Sequence, residues 1–351
     1  MSERVMARVV CIDAISPIEG ADQIEIAQIG GWKVVVKKGE YTAGSLAVYC
    51  EIDSWIPHSI APFLTKPGQS PKVYNEVEGQ RLRTIKLRGQ ISQGLLLPLE
   101  VAMEKFVNSE EDDGEELCER FYDGADVTEL LGIQKWEPPA EFRAANAKGS
   151  FPHFIPKTDQ ERIQNLSRSL EKWNVEKHQW QITEKIDGSS MTVFYKDGEV
   201  GVCSRNLELK DDGTSTFWET AKSEGLVEKL IAVGKNIALQ GELIGGQIQG
   251  NAYKVDKFQF HLYDIFDIDM QQYLTPENVE GTALQLNIRH VPVLEQFTTF
   301  DVRMEDLIAY AEGKSLVGAK PEREGLVFKS LTEPGTSFKV ISNKWLLKND
   351  G

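Results

Sequence analysis

Three residues that together could serve a group-transfer reaction lie within four positions of one another. They are Lys185, Asp187 and Gly188, in the stretch Gln181-Ile-Thr-Glu-Lys-Ile-Asp-Gly-Ser-Ser190. A lysine amine attacks an electrophile once its surroundings remove a proton, an aspartate can orient the water shell of a metal ion, and a glycine lets a phosphate approach the backbone. The spacing therefore predicts a nucleophile at Lys185, although K-x-D-G also fits an ordinary surface turn.

Further stretches decide between these two interpretations. In chain order the set is Glu184-Lys-Ile-Asp-Gly188, Ser204-Arg-Asn206, Leu239-Gln-Gly-Glu-Leu-Ile-Gly245, Phe260-His-Leu-Tyr-Asp-Ile-Phe266, Glu324-Gly-Leu-Val-Phe-Lys329 and Phe338-Lys-Val-Ile-Ser-Asn-Lys-Trp345. This order resembles the motifs of covalent nucleotidyltransferases, which include polynucleotide ligases and messenger-RNA capping guanylyltransferases. An ordered set is far less expected by chance than one short motif, so we interpret Lys185 as the nucleophile.

The resemblance implies a role for each matching residue in adenylyl transfer from ATP. Lys185 would attack the α-phosphorus, and nearby positive charge should depress its pKa, because neutral amines form phosphoramidates. Asp187 and Glu324 would hold Mg²⁺ or Mn²⁺ through its water molecules. Lys329 and Lys339 resemble clamps on the α-phosphate, acting as point charges.

Other matches are implied to bind the nucleotide or the nucleic-acid strand. Glu184 would read the exocyclic amine of the purine, and adenine would stack between Tyr263 and Val327. Arg205 would hold a phosphate or the 3′ end of a strand, and Glu242 would accept hydrogen bonds from the ribose hydroxyls. A structural salt bridge also explains an arginine or a glutamate at those two positions.

The segment Ile155-Pro-Lys-Thr-Asp-Gln-Glu-Arg162 resembles the part of the family that grips the β- and γ-phosphates, through Lys157 and Arg162. We expect Thr158 or Asp159 to cap a helix that begins here, whose amino terminus would favour an anion.

The last motif departs from the pattern. Related ligases often carry a second lysine two residues after the position of Lys339, where this chain has Ile341. Lys344 either compensates for that lysine or covers the surface.

The first hundred residues read as short strands separated by glycine turns, typical of a small barrel. Ile15-Ser-Pro-Ile-Glu-Gly-Ala-Asp-Gln-Ile-Glu-Ile-Ala27 and Leu87-Arg-Gly-Gln-Ile-Ser-Gln-Gly-Leu-Leu-Leu97 resemble the OB-folds of tRNA-binding domains. Between Arg81 and Arg88 four cations occupy eight residues of strand-like alternation. They form either a nucleic-acid contact or a solvated strand face. The residues concerned are Arg81, Arg83, Lys86 and Arg88.

The fold class expected from these patterns is α+β. An amino-terminal β-barrel of the OB type, residues 1–135, would be followed by a linker, residues 136–150, and a mixed α/β nucleotidyltransferase domain with an ATP-grasp-like ligase fold, residues 151–351. Helices are predicted over Thr216–Val233, Pro276–Leu286 and Arg303–Glu312.

Composition bounds the remaining properties. A net charge of −15 on 351 residues excludes nucleic-acid binding by bulk charge alone, so local cations must supply it. The four cysteines form no C-x-x-C pair, and no apolar run reaches the length of a membrane span. We expect an intracellular protein, cytoplasmic or nuclear and not secreted, which has no membrane partner and is a monomer.

An OB-fold ahead of the catalytic motifs resembles the domain order of ATP-dependent RNA ligases of the Naegleria and Deinococcus type. This resemblance implies an ATP-dependent RNA ligase that joins a 3′-hydroxyl to a 5′-phosphate through lysyl-AMP. Its partners would be RNA strand ends, at a nicked duplex or an RNA/DNA hybrid. The alternatives are a DNA ligase or capping guanylyltransferase of the same superfamily, or a non-catalytic tRNA- or RNA-binding protein. The OB-fold ahead of the catalytic motifs disfavours the two enzymes, and the joint presence of Lys185, Glu242, Glu324 and Lys329 disfavours the non-catalytic protein.

Overall fold

A computed structural model describes residues 4–108, 120–137, 146–299, 301–333 and 335–349. These residues form two compact units, one of residues 4–137 with 346–349 and one of residues 146–345. The acidic stretch 109–116 and the middle of the expected linker lie outside the described residues. No described helix is long and apolar enough to cross a membrane.

The amino-terminal unit is built from short antiparallel strands, as expected of a small barrel. Its strands are Ala7–Cys11, Ala14–Pro17, Ile24–Ile29, Trp32–Lys37, Leu46–Cys50, Ser54–Pro57, Lys72–Tyr74, Val77–Arg81, Ile85–Leu87, Gln90–Ser92, Leu95–Pro98 and Gln134–Lys135. One helix, Leu99–Val107, follows the barrel strands and buries Ala102 and Phe106 in their core.

A glycine turn and the alternation of buried and exposed residues explain the hairpin of Ile24–Ile29 and Trp32–Lys37. Ile29 is paired with Trp32, which leaves Gly30-Gly31 as a two-residue turn, and Gly30 has φ +53°. Such a turn needs a left-handed backbone, which glycine adopts without steric cost. Trp32, Val34 and Val36 then alternate into the core while their neighbours face outward.

The cationic stretch is not one strand, contrary to the single stripe that we expected. Arg81 ends the strand Val77–Arg81, and the chain then turns away before the hairpin of Ile85–Leu87 and Gln90–Ser92. Arg88 and Gly89, with φ +47° and +81°, form the two-residue tip of that hairpin. Arg81 and Lys86 therefore lie in strands of two separate sheets, Arg83 lies in the segment between them and Arg88 in the turn, so no strand face presents the four cations together.

The carboxy-terminal unit contains two sheets. The seven-stranded sheet has, in spatial order, Ala147–Ser150, Leu207–Leu209, Glu199–Cys203, Ser189–Lys196, Ile237–Ile244, Gln259–Asp267 and Gln272–Tyr273. The five-stranded sheet has Glu161–Arg162, Ser337–Ile341, Gly325–Ser330, Trp180–Lys185 and Val293–Thr298.

Helices cover one face of each sheet. Thr216–Ser223, Leu226–Val233 and Pro276–Gln285 pack on the seven-stranded sheet, and Ser167–Glu176 and Met304–Ala311 pack on the five-stranded sheet. The helix Asn343–Asn349 closes the described chain. Each sheet thus buries one face against helices.

Two predicted helices differ from the structure. The helix expected over 216–233 is two helices, because Gly225 has φ +68° and interrupts the helical backbone. The helix expected to begin at Thr158 or Asp159 begins at Ser167, with no side-chain cap, after the strand Glu161–Arg162 pairs with Ser337–Ile341. Sheet pairing outweighed the local capping signal there. The end of the predicted linker, Ala147–Ser150, is also a strand.

Candidate active site

Lys185 is the last residue of a strand in the five-stranded sheet. In the antiparallel register it lies opposite Gly325, so the preceding residue, Glu324, comes beside it. Its Nζ donates a hydrogen bond to Glu324 Oε2 over 2.8 Å. Side-chain exposure is 25% for Lys185 and 10% for Glu324, so the pair is largely buried but still reached by solvent.

The turn after Lys185 is held by close packing. The backbone N–H of Asp187 donates to the hydroxyl of Tyr253 over 2.7 Å. A Cβ on Gly188 would lie 2.5 Å from Leu243 O and 2.9 Å from Glu242 Cγ. The glycine is therefore required by the neighbouring strand, which is a different reason from the phosphate approach inferred from the sequence.

Three carboxylates surround the lysine amine. Burial raises the pKa of Glu242 to about 7, and Glu324 adds to the rise while Lys185 opposes it. Burial likewise raises the pKa of Asp187 well above its ordinary value, again with Glu324 adding to it. One lysine does not balance three acids in a site of low dielectric.

The same carboxylates act on the lysine in the direction opposite to our expectation. Burial alone lowers the pKa of Lys185, but attraction to Glu324, Glu242 and Asp187 outweighs burial and raises it. The depressed pKa that we expected for Lys185 assumed positively charged neighbours. The protein's own groups supply mainly negative ones.

This surplus of carboxylate charge fits a divalent cation. Asp187 and Glu324, the two expected to hold Mg²⁺ or Mn²⁺, both lie beside the nucleophile. The described residues contain no group of three or more His, Cys, Asp or Glu arranged to ligate a metal directly. Contact through water molecules, which Mg²⁺ favours, stays a prediction.

Glu184 offers an acceptor to a nucleotide base. Its residue exposure is 1%, and the backbone N–H of Leu316 donates to Oε2 over 2.8 Å. Within the described part of the chain Oε1 is buried and has no hydrogen-bond partner. Burial raises the pKa of Glu184, against the hydrogen bonds from Ser315 and Leu316 and the charge of Arg323. A buried acceptor without a donor fits the amine expected from adenine.

Lys329 joins the two sheets. Its Nζ donates to Asp264 Oδ1 over 2.6 Å and also to the carbonyl of Tyr263. The ammonium lies 5.8 Å from the centre of the Tyr263 ring, whose hydroxyl is 2.8 Å from Thr158 Oγ1. Val327, two residues before Lys329, is 9% exposed on the same strand.

Asp159 forms ion pairs with two other predicted cations. Lys339 Nζ donates to Asp159 Oδ1 over 2.9 Å, and Arg205 Nη2 lies 3.7 Å from Oδ2. Lys157 Nζ donates to Asn206 Oδ1 over 2.8 Å. The segment 157–159 thus connects the turn that carries Arg205 with the strand that carries Lys339.

Arg162, Ile341 and Lys344, the remaining positions of the predicted phosphate-binding set, differ in how far they are buried. Arg162 is 8% exposed and stands beside Lys339 in parallel register. Ile341 is 3% exposed, so a buried aliphatic group replaces the second lysine of the family pattern. Lys344 is 60% exposed and pairs with Glu322 over 3.2 Å.

The four cations predicted to contact nucleic acid in the amino-terminal unit differ in exposure and in pairing. Arg81 is engaged by its own unit: Nη2 lies 2.6 Å from Asp53 Oδ1, and the guanidinium stacks 3.8 Å from the centre of the Trp136 ring. Arg83 is half-buried, whereas Lys86 and Arg88 are exposed on the hairpin.

Sequence reasoning missed Asp159, Asp264, Tyr253 and Arg323 as neighbours of the site. Asp159 and Asp264 lie inside motifs that we quoted for other residues. The closeness of Asp159 to Lys157, a predicted phosphate-binding cation, could have indicated its role. Tyr253 and Arg323 gave none, because their contacts are made across the fold.

Two family models match the chain. The RNA ligase model matches residues 178–341, and an OB-fold domain model matches residues 6–99. Among solved structures, Naegleria gruberi RNA ligase with PPi is 42% identical, with 99% of each chain covered and a TM-score of 0.88. The chain belongs to the RNA ligase family.

Two other structures of the Naegleria enzyme contain a nucleotide and a metal. A variant with ATP and Mn is 42% identical over 98% of each chain, with a TM-score of 0.87. Another, with AMP and Mn, is 42% identical over 98% of this ligase and 99% of that chain, with a TM-score of 0.88. No curated protein matches the chain.

These matches confirm the expected family, the amino-terminal OB-fold ahead of an α/β ligase domain, and an ATP-dependent RNA ligase that uses a divalent metal. The roles assigned to single residues stay predictions.

Proposed function

We propose that this ATP-dependent RNA ligase forms lysyl-AMP on Lys185 and seals RNA 3′-hydroxyl and 5′-phosphate ends. The observation that supports the nucleophile is the 2.8 Å contact between Lys185 Nζ and Glu324, with the carboxylates of Glu242 and Asp187 also acting on the amine. A lysine used only for structure does not need three carboxylates around it.

The first step transfers AMP to the enzyme. Nζ of Lys185 forms a bond to the α-phosphorus of ATP while the bond to the bridging oxygen breaks and pyrophosphate leaves. Glu324 is the hydrogen-bonded acceptor for the proton that the amine must lose. Lys329 and Lys339 neutralise the α-phosphate oxygens, and Lys157 and Arg162 the β- and γ-phosphates.

Binding of phosphate requires these cations to exchange partners. Lys329 is paired with Asp264, and Lys339 is paired with Asp159. These carboxylates hold both ammonium groups in place before ATP binds. A divalent ion held through water by Asp187 and Glu324 would supply charge that stabilises the phosphorus oxygens and the neutral amine.

The nucleotide is proposed to lie with adenine between Tyr263 and Val327, its amine on Glu184 and its ribose on Glu242. In the second step AMP passes from Lys185 to a strand 5′-phosphate, and in the third a 3′-hydroxyl displaces AMP. Arg205 would position that strand, at a nick or an RNA/DNA hybrid, and Lys86 and Arg88 of the OB-fold would contact its phosphates.

The test is labelling of the protein. Incubation with α-labelled ATP and Mg²⁺ or Mn²⁺, followed by denaturing electrophoresis, should mark the wild type. Lys185→Ala should lose the label by about 10³-fold or more, because the variant lacks the amine that would form the bond to the phosphorus. Lys172→Ala, which changes an exposed helix lysine, should label like the wild type. Label that persists in Lys185→Ala would reject the assignment.

The substrate is tested separately with nicked duplexes that carry RNA or DNA on each side of the nick. An RNA 3′-hydroxyl strand should be required. Equal sealing of an all-DNA nick would favour a DNA ligase instead.

A further inference from the structure

Arg323, the residue before the motif Glu324–Lys329, donates hydrogen bonds to three backbone carbonyls at the end of a helix. Nε donates to Ala311 O over 3.2 Å, and Nη2 donates to Tyr310 O and Glu312 O over 2.9 Å each. The side chain is buried at the carboxyl end of the helix Met304–Ala311, where a cation is favoured by the helix dipole.

The same arginine closes the loop of residues 313–322. Its backbone N–H donates to Gly313 O over 2.8 Å, and Ser315 N–H donates to Pro321 O over 2.8 Å. A Cβ on Gly313 would lie 3.2 Å from Arg323 Nη2, so the guanidinium packs directly on the start of the loop. Arg323 therefore fixes both ends of this segment to the helix.

The loop reaches the base-reading carboxylate. Leu316 N–H donates to Glu184 Oε2 over 2.8 Å, and Oε1 is buried without a hydrogen-bond partner among the described residues. Ser315 of the same loop also hydrogen-bonds to Glu184, so a shift of the loop changes both contacts that orient this carboxylate.

We infer that Arg323 is a positioning residue that orients Glu184 through the 313–322 loop and thereby sets the preference of the ligase for ATP over GTP. The inference rests on the proposed role of Glu184. Adenine presents an N–H donor at the position where guanine presents a carbonyl oxygen. A carboxylate oxygen held at that position accepts from the first and repels the second.

The experiment compares single-turnover labelling of the full-length protein by ATP and by GTP. Arg323→Lys keeps the charge but loses the planar fork, and Arg323→Met removes both. The preference for ATP should fall about tenfold or more, with a raised KM for ATP, as expected when a hydrogen bond to a charged group is misaligned. Lys314→Ala changes an exposed ion pair of the same loop and should leave the preference unchanged.

A strand that is already adenylylated separates positioning from general damage, because its sealing bypasses recognition of ATP. Both Arg323 variants should seal it within about twofold of the wild type. The inference is overturned by an unchanged preference for ATP, by a parallel loss in sealing of the adenylylated strand, or by an equal change in Lys314→Ala. Failure of the wild type to label with ATP would instead reject the proposed function.

Discussion

The two units of this ligase hold their cations in different ways. In the ligase domain Lys185, Lys329 and Lys339 each lie against a carboxylate of the protein, with side-chain exposures of 25%, 9% and 12%. On the OB-fold hairpin Lys86 and Arg88 are exposed, and the described residues show no ion pair to either. Buried charges must be paired when no ligand is bound, whereas exposed charges are solvated by water.

This difference indicates what each unit can contribute. A paired and buried cation is fixed in geometry, which suits chemistry at one phosphorus atom. An exposed cation on a hairpin has freedom of orientation and contributes screened attraction to phosphates, with little sequence preference. The following variants test that contrast, beginning with the largest expected effect.

Glu324→Gln should be the most damaging of these changes, because it keeps the shape of the side chain but removes a charge beside the nucleophile. The rate of lysyl-AMP formation in rapid-quench experiments should fall about 10²- to 10³-fold. Glu208→Gln, which breaks the pair with the exposed Lys148, should react at the wild-type rate. Similar rates in both variants would mean that buried charge at the site is not used in the chemistry.

Acid should weaken the ligase domain through a buried histidine. Burial lowers the pKa of His261 to about 3. The unfolded chain takes up the proton near pH 6.5 and the folded chain does not, so stability falls as the pH drops from about 6.5 toward 3. The loss from His261 should reach about 2 kcal/mol at pH 5.

Urea unfolding at pH 7 and pH 5 measures this loss in the free energy of unfolding. His261→Gln should show a smaller difference between the two pH values than the wild type. Burial also lowers the pKa of His290, to about 4, so His290 should still make the stability of the variant depend on pH. An equal pH dependence in the wild type and His261→Gln would contradict the prediction.

Tyr253→Phe should slow lysyl-AMP formation about tenfold. The change leaves the buried N–H of Asp187 without its acceptor, which loosens the turn after Lys185. Tyr195→Phe, on a distant part of the seven-stranded sheet, is a matched control. A loss of stability without a loss of rate would show that Tyr253 supports the fold rather than the nucleophile.

The smallest effect is expected on the hairpin of the OB-fold. Lys86→Gln with Arg88→Gln should weaken binding of an RNA duplex a few-fold and reduce the slope of log K against log salt by about 1 to 2. Lys37→Gln with Lys38→Gln removes the same charge elsewhere on the unit and should change both values less. Equal slopes for the two double variants would reject a specific role of the hairpin.

Much of the site was predictable because its chemistry is carried by short local motifs. The order of the motifs from Glu184 to Trp345 predicted the family, and the helices expected over Pro276–Leu286 and Arg303–Glu312 lie close to the observed helices Pro276–Gln285 and Met304–Ala311. The helix start at Ser167 was not, because a strand pairing with Ser337–Ile341 overrode the local cap signal at Thr158 and Asp159.

The sequence by itself determined which residue types are present at each motif, and hence the reaction class and the order of the domains. The tertiary structure alone decided the charge balance: it raised the pKa of Lys185 by placing three carboxylates around it, and it separated Arg81 from Lys86. The physical reason is that burial and electrostatic pairing depend on distances across strands, and neither Tyr253 nor Arg323 shows in sequence which backbone groups it will hold.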